Sequence, residues 1–163
     1  MRGSDTPYPQ GRVSREKALQ KLKHFCGYQE RSHADVKQKL YSLGLFKNEV
    51  EEIITQLIEE GYLNEQRFAT QFASGKFRIK GWGRQKISYE LRQKQISEFC
   101  IKKALTELDE AEYLKVFSRL AEKKWNSLHT EKNIFVRKNK CQQYLLQRGF
   151  ETSLIKNFNF QKE

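Results

Sequence analysis

Apolar residues recur at steps of three and four along most of this chain, and the stripes they draw return at intervals of roughly fifty residues. Leu40 to Leu45 closes one stripe, with Val50 five residues further on; Leu91 to Ile96 with Ile101, and Leu145 to Phe150 with Ile155, repeat the arrangement. Val36, Ile87 and Cys141 stand four residues before the leading leucines. Each copy therefore reads as a helix stripe, a tight exit and a second helix, with another helix upstream. The pattern predicts an all-α fold of three tandem three-helix repeats, over residues 12–63, 64–108 and 109–163, stacked into an elongated, curved array. Residues 1–11, which hold both prolines, Pro7 and Pro9, read as a flexible N-terminal arm.

Ser14 is placed to cap a helix carrying Leu19, Leu22 and Cys26 on one face, with Gly27 weakening its last turn. Ser32 with Asp35 resembles a capping box ahead of Val36, Leu40 and Leu43, and Gly44 supplies a left-handed exit. Asn48 with Glu51 suggests another box before Val50, Ile53, Ile54, Leu57 and Ile58, an amphipathic run closed by Gly61. In the second repeat Phe68, Ala69, Phe72 and Ala73 follow Asn64 as a stripe that lets a neighbouring helix approach closely. Gly75, Gly81 and Gly83 make the next stretch the least helical part. The helical pattern resumes from Arg84 through Ile87 and Leu91, turns at Gln95-Ile96, and restarts behind Ser97 with Ile101, Ala104, Leu105 and Leu108. Asp109 with Glu112 opens the third repeat before Leu114, Phe117, Leu120, Ala121 and Leu128, with Trp125 near that helix's end, and helices are expected over 130–148 and 152–158. No sustained period-two alternation argues for strands.

Charge adds a partner class. Across 163 residues, 31 Lys and Arg against 20 Asp and Glu give a formal net charge of +11, an excess whose commonest use is phosphate binding and whose plainest is solubility. Cys26, Cys100 and Cys141 are far apart without a C-x-x-C, which fits a reducing compartment and neither a disulfide framework nor a zinc site. With no apolar run long enough for a membrane span or a signal-peptide core, the chain reads as cytoplasmic, without a membrane partner. His24 and His33 fall in the first repeat and His129 in the third, and all three read as surface residues. Gly75-Lys76 lacks the rest of a P-loop, and Lys86 occupies the third glycine position of a dinucleotide fingerprint begun at Gly81-Trp82-Gly83. No catalytic residue, cofactor or metal is expected. Glu49, Glu51 and Glu52 lie opposite their helix's apolar stripe and read as wet surface, or as an acidic face for a basic partner. An open array has no intrinsic need to dimerise, so a monomer is expected.

The densest candidate chemistry lies in mid-chain, where Lys76, Arg78, Lys80, Arg84, Lys86, Arg92 and Lys94 are offset only by Glu90 and interleaved with Phe77, Trp82 and Tyr89. Basic side chains bind phosphate, and aromatics can stack on unpaired bases at roughly 1–3 kcal/mol each. The competing reading puts Phe77 and Tyr89 in the core and leaves the lysines as a solvated face. Arg137, Lys138 and Lys140 stand at the start of the equivalent helix in the third repeat. Stacked repeats would align these runs into a discontinuous positive stripe suited to a long, helical, charged partner.

The run Glu60-Gly61-Tyr62-Leu63-Asn64-Glu65-Gln66-Arg67-Phe68-Ala69, with the basic glycine-containing stretch and Ile87-x-x-x-Leu91 behind it, resembles the signature of the RecX family of recombination regulators. Glu30-Arg31-Ser32 and the Leu40 to Leu45 turn belong to the same likeness, which departs from the family at Gln95, where the turn usually has glycine, and over residues 115–133. The resemblance implies a cytoplasmic bacterial protein on three-helix repeats, without intrinsic catalysis. Its partner would be the RecA recombinase filament on single-stranded DNA, bound in the filament's helical groove and usually inhibited in strand exchange and ATP hydrolysis. Two other readings remain open at this point: a stand-alone nucleic-acid regulator with a helix-turn-helix recognition helix drawn from Arg84 to Lys94, and a passive helical adaptor.

Overall fold

The computed structural model describes residues 11–160, so the expected arm lies outside the described residues except for Gly11. The first repeat comprises α1 (Arg15–Tyr28), α2 (His33–Ser42) and α3 (Lys47–Glu59). The second comprises α4 (Glu65–Gly75), which runs into a π-helical turn (Lys76–Lys80), then α5 (Arg84–Gln93) and α6 (Glu98–Thr106). The third comprises α7 (Glu110–Ser127), α8 (Ile134–Gln147) and α9 (Thr152–Asn157). The described chain is all-α, in tandem three-helix repeats. It forms two compact units, Met1–Phe68 and Ala69–Glu163, whose boundary falls inside α4.

The signature read at Leu40, Leu91 and Leu145 is a Schellman motif made three times. Leu45 N–H bonds to Leu40 O at 3.4 Å and Gly44 N–H to Tyr41 O at 3.0 Å. Ile96 and Gln95 do the same to Leu91 and Arg92 at 3.1 and 2.9 Å, and Phe150 and Gly149 to Leu145 and Leu146 at 3.1 and 2.9 Å. The motif brings together the residue after the turn and the leading leucine, and all six of these side chains are buried. Covering each pair contributes about 3–6 kcal/mol before conformational entropy is subtracted. The turn residue is left-handed in every copy, at φ 85° for Gly44, 61° for Gln95 and 92° for Gly149. Only Gln95 bears a side chain in that conformation. Gln95→Gly is therefore expected to raise second-unit stability by about 0.5–1 kcal/mol, relief of left-handed strain outweighing glycine's larger unfolded-state entropy. Urea unfolding followed through Trp82 and Trp125 measures that unit, and an unmoved midpoint would mean that the turn carries no strain.

Capping follows the sequence at Ser14, Ser97 and Asp109, and Ser32 forms a full box: its Oγ accepts from Asp35 N at 3.0 Å, while Asp35 Oδ2 accepts from Ser32 N at 3.1 Å. Several expectations are corrected. The box at Asn48 and Glu51 is not used: α3 starts behind Phe46, whose N–H donates to Glu49 Oε2 at 3.1 Å, and Arg12 also pairs with that carboxylate. Glu49 is thus a structural cap, its carboxyl held below the ordinary range first by the Phe46 N–H and then by Arg12. Ile58, at the edge of its stripe, is exposed. α8 starts at Ile134, behind an Asn133 cap, four residues later than expected. In α7 the buried residues are Tyr113, Phe117 and Ala121, and Leu114 faces out. His33 is half-buried, with its imidazole pushed below its ordinary value by burial.

Gly75 does not break the second repeat. Its backbone is helical, φ −66° and ψ −46°, and the chain continues through the π turn to Gly81, which exits left-handed at φ 65°. Phe77, 2% exposed, extends the row of Ala69 and Ala73 by one more step of four. Burying one aromatic outweighs the penalty of about 1 kcal/mol for a glycine inside a helix. Phe77 stacks on Tyr113 at 5.5 Å, Tyr113 packs on Phe150 at 5.5 Å, and Phe150 meets Phe117 at 5.2 Å. This ring chain joins the second and third repeats into one core.

The two repeats also dock backbone to backbone. Gly83 N–H donates to Arg148 O and Gln85 N–H to Gly149 O, both at 2.8 Å. A Cβ on Gly83 would lie 2.4 Å from Gly149 O, and one on Gly149 would lie 2.2 Å from the Lys86 Cβ. Glycine stands on both sides because nothing larger fits.

Candidate functional site

The π turn and the start of α5 carry most of the basic residues singled out by the sequence, and the structure sorts them by what they touch. Arg78 and Lys80 are exposed, while Lys76 and Lys86 are half-buried against Trp82. The Lys76 ammonium lies 5.0 Å from the indole centroid and 5.4 Å from that of Phe72, and the Lys86 ammonium lies 4.5 Å from the indole. Phe72 meets Trp82 edge-on at 6.5 Å. Two cations share one ring, attracted by its electron-rich face but repelled by each other. Among the described residues none of Lys76, Arg78, Lys80 and Lys86 forms an ion pair with a carboxylate. An anion beside Trp82 would gain from both Lys76 and Lys86.

The turn's free carbonyl is anchored from the third repeat, since the Arg148 guanidinium donates to Lys80 O. Arg148 also donates through Nε to the Tyr144 hydroxyl at 3.1 Å, and the Lys124 ammonium lies 5.0 Å from the Tyr144 ring. Sequence reasoning missed Arg148, Lys124 and Tyr144, which extend the cationic surface into the third repeat. The repeat alignment held a signal for Arg148, which directly precedes the Gly149 turn.

Four of the other nominated cations, Arg84, Arg92, Arg137 and Lys140, are engaged within the fold. Arg84 pairs with Glu110 and, at 3.4 Å, with Glu151, and its guanidinium stacks 3.8 Å from the Tyr113 ring centroid. Burial works against its charge, but the Glu110 hydrogen bond and the neighbouring Tyr113 and Glu151 hold its pKa above the ordinary value. The Tyr113 hydroxyl accepts from Arg84 N–H at 3.0 Å and donates to Glu151 Oε2 at 2.8 Å, while burial pushes its pKa upward. Arg92 grips Glu98 with two N–H donors and keeps that carboxyl below its ordinary range. Arg137 lies 3.8 Å over Trp125 and donates to the Trp125 carbonyl, and Lys140 pairs with Glu131 at 3.4 Å. Lys138 is exposed and Lys94 half-buried. Of the interleaved aromatics, Phe77 belongs to the core and Tyr89 is 58% exposed.

The start of α5 is closed to phosphate and to DNA grooves. Its first N–H groups, from Gly83, Arg84 and Gln85, are bonded to Arg148 O, the Tyr113 hydroxyl and Gly149 O. A recognition helix presents its N-terminal residues to base edges. Here that end is covered by the third repeat, which removes the support for reading α5 as one.

Cys26, Cys100 and Cys141 are buried, and burial pushes the Cys26 thiol up to about 11. Among the described residues no group of three or more His, Cys, Asp or Glu side chains is arranged to hold a metal ion, and no helix is long and apolar enough to cross a membrane.

Two family profiles match the chain: "RecX, second three-helix domain" over residues 64–105 and "RecX, third three-helix domain" over residues 110–158. The chain is 34% identical over 131 residues to the regulatory protein RecX of Pelodictyon phaeoclathratiforme, covering 80% of this chain and 79% of that protein. It is 30% identical over 128 residues to the regulatory protein RecX of Clostridium botulinum, covering 78% of this chain but only 59% of that longer protein. The crystal structure of RecX from Lactobacillus salivarius superimposes with a TM-score of 0.78 at 25% identity, covering 87% of this chain and 92% of that one.

Proposed function

Because this chain belongs to the RecX family of regulatory proteins, we propose that it binds the RecA recombinase filament on single-stranded DNA, within the filament's helical groove. It lowers strand exchange and the accompanying ATP hydrolysis, acts in the cytoplasm as a monomer, and performs no chemistry of its own. The observation that carries this reading is the group of four cations without carboxylate partners on the π turn and α5: Lys76, Arg78, Lys80 and Lys86. A π turn inside a helix recurs at functional positions, and this one turns cations outward from a turn anchored by Arg148. Lys138 in the third repeat adds an exposed charge, whereas Arg84, Arg92, Arg137 and Lys140 are engaged by carboxylate or carbonyl partners.

The test is single-strand-dependent ATP hydrolysis by the cognate recombinase, titrated with this protein at several salt concentrations. Hydrolysis is expected to fall as the protein is added, and the protein needed for half-inhibition is expected to rise with salt, because released counterions drive phosphate contacts. Hydrolysis that does not respond to the protein would sink the reading.

A further inference from the structure

The first repeat carries a basic surface of its own, built from none of the residues of the π turn. An open groove of about 580 Å³ runs beside α1 and α2, lined by Lys21, His24, Phe25, Tyr28, Arg31 and Lys39 among others. Its apolar floor is continuous with the core through Phe25 and Leu43, which pack on the buried cluster of the first unit. Tyr28 stands at its edge, 78% exposed. Arg31 lies flat on Phe25, with its guanidinium carbon 3.7 Å from the ring centroid, and its Nε donates to the Phe25 carbonyl at 3.1 Å. The Lys39 ammonium is 5.9 Å from the same ring.

None of the groove's lining residues is acidic, and among the described residues none of Lys21, His24, Arg31 and Lys39 has a carboxylate partner. The nearby acids are engaged elsewhere: Glu30 pairs with Arg67, and Asp35 closes the α2 capping box. Arg31 is held by its stacking and its Nε bond, so the outer edge of its fork is pre-positioned for a carboxylate at little entropic cost. We infer that this groove docks an acidic protein segment carrying a bulky apolar anchor, the anchor seated against Leu43 and Tyr28 and its carboxylates met by Arg31, Lys39 and Lys21. Single-stranded nucleic acid fits less well, because successive bases need successive open ring faces. Arg31 occupies the face of Phe25, which leaves the groove only the Tyr28 ring and the small imidazole of His24 as exposed rings.

This inference stands apart from the proposed function, since it uses no residue of the π turn. The probe is a fluorescein-labelled peptide, Glu-Asp-Glu-Leu-Glu-Phe-Leu-Glu-Asp-Glu, titrated with the full chain and read by anisotropy. Saturable binding is expected, weakened at least about tenfold when the peptide's Leu and Phe are replaced by Ser. A similar loss is expected in a Lys21→Gln/Lys39→Gln variant with unchanged circular dichroism. Binding should be unaffected by Arg78→Ala/Lys80→Ala, changes which lie in the second unit. Absence of saturable binding, indifference to the Ser replacements, or indifference to Lys21 and Lys39 would overturn the inference. Displacement of the peptide by a thymidine oligonucleotide that itself loses affinity in the Lys21→Gln/Lys39→Gln variant would also overturn it, and would identify the groove as a nucleic-acid site.

Discussion

Gly83→Ala is expected to destabilise the second unit by about 3 kcal/mol, while Gly75→Ala, eight residues earlier, should stabilise it by about 0.5–1 kcal/mol. The contrast comes from what each new methyl group meets. At Gly83 a Cβ would sit 2.4 Å from Gly149 O and 2.5 Å from Phe150 N, and both are backbone atoms that no rotamer change can move. Relief requires the start of α5 to separate from the turn after α8, which breaks the 2.8 Å bonds from Gly83 and Gln85 and loosens the stack of Phe77, Tyr113 and Phe150. Each buried donor left unpaired costs about 1–3 kcal/mol if the gap stays dry. At Gly75 the backbone is already helical and a Cβ meets nothing within 4 Å, so alanine only restricts the unfolded chain. Both tryptophans, Trp82 and Trp125, lie in the second unit, and urea unfolding followed by their fluorescence isolates its transition. Equal midpoints for the two variants would mean that the second and third repeats do not dock through Gly83.

The same pair of glycines marks how far local pattern reaches. Repeated stripes, caps at Ser14, Ser32, Ser97 and Asp109, and the exits at Gly44, Gln95 and Gly149 were legible because each is set by residues within one or two helical turns. Gly75 misled because a glycine states only what the backbone may do. Phe77 decided the matter through a core formed with Tyr113 and Phe150. Tyr113 itself was passed over for Leu114, since a tyrosine joins a core when its hydroxyl is satisfied, and its partners are Arg84, 29 residues away, and Glu151, 38 residues away. Distance also explains the site. A run of Lys and Arg is visible as composition, but the Arg84 pairs with Glu110 and Glu151 span 26 and 67 residues, and the Arg148 bond to Lys80 spans 68. Density of charge nominates a surface; that Arg84 is paired and Arg78 and Lys80 are not depends in part on acids brought up by another repeat.

That division yields the second large effect. Arg78→Ala/Lys80→Ala/Lys86→Ala is expected to weaken binding to single-stranded DNA and to the recombinase filament on the order of 100-fold at low salt and to abolish inhibition of ATP hydrolysis at concentrations where the parent chain is fully inhibitory. Each phosphate contact on a single strand contributes about 0.7 to the slope of log affinity against log salt, so removing three should flatten it by about 2. Folding should be intact, because Arg78 and Lys80 are exposed and alanine at 86 keeps the Cβ that packs beside Gly149. Arg84→Ala is the opposite case. It leaves Glu151 and Glu110 without their cation and uncovers the Tyr113 ring, although the backbone N–H at 84 still donates to the Tyr113 hydroxyl, and it should cost about 1–2 kcal/mol of second-unit stability, yet leave the salt slope unchanged. A passive adaptor would keep its partner after the triple substitution, and a folded triple variant that still inhibits with the parental salt slope would remove the π turn from the interface. If instead Arg84→Ala flattened the slope, the line between structural and contacting cations would be drawn in the wrong place.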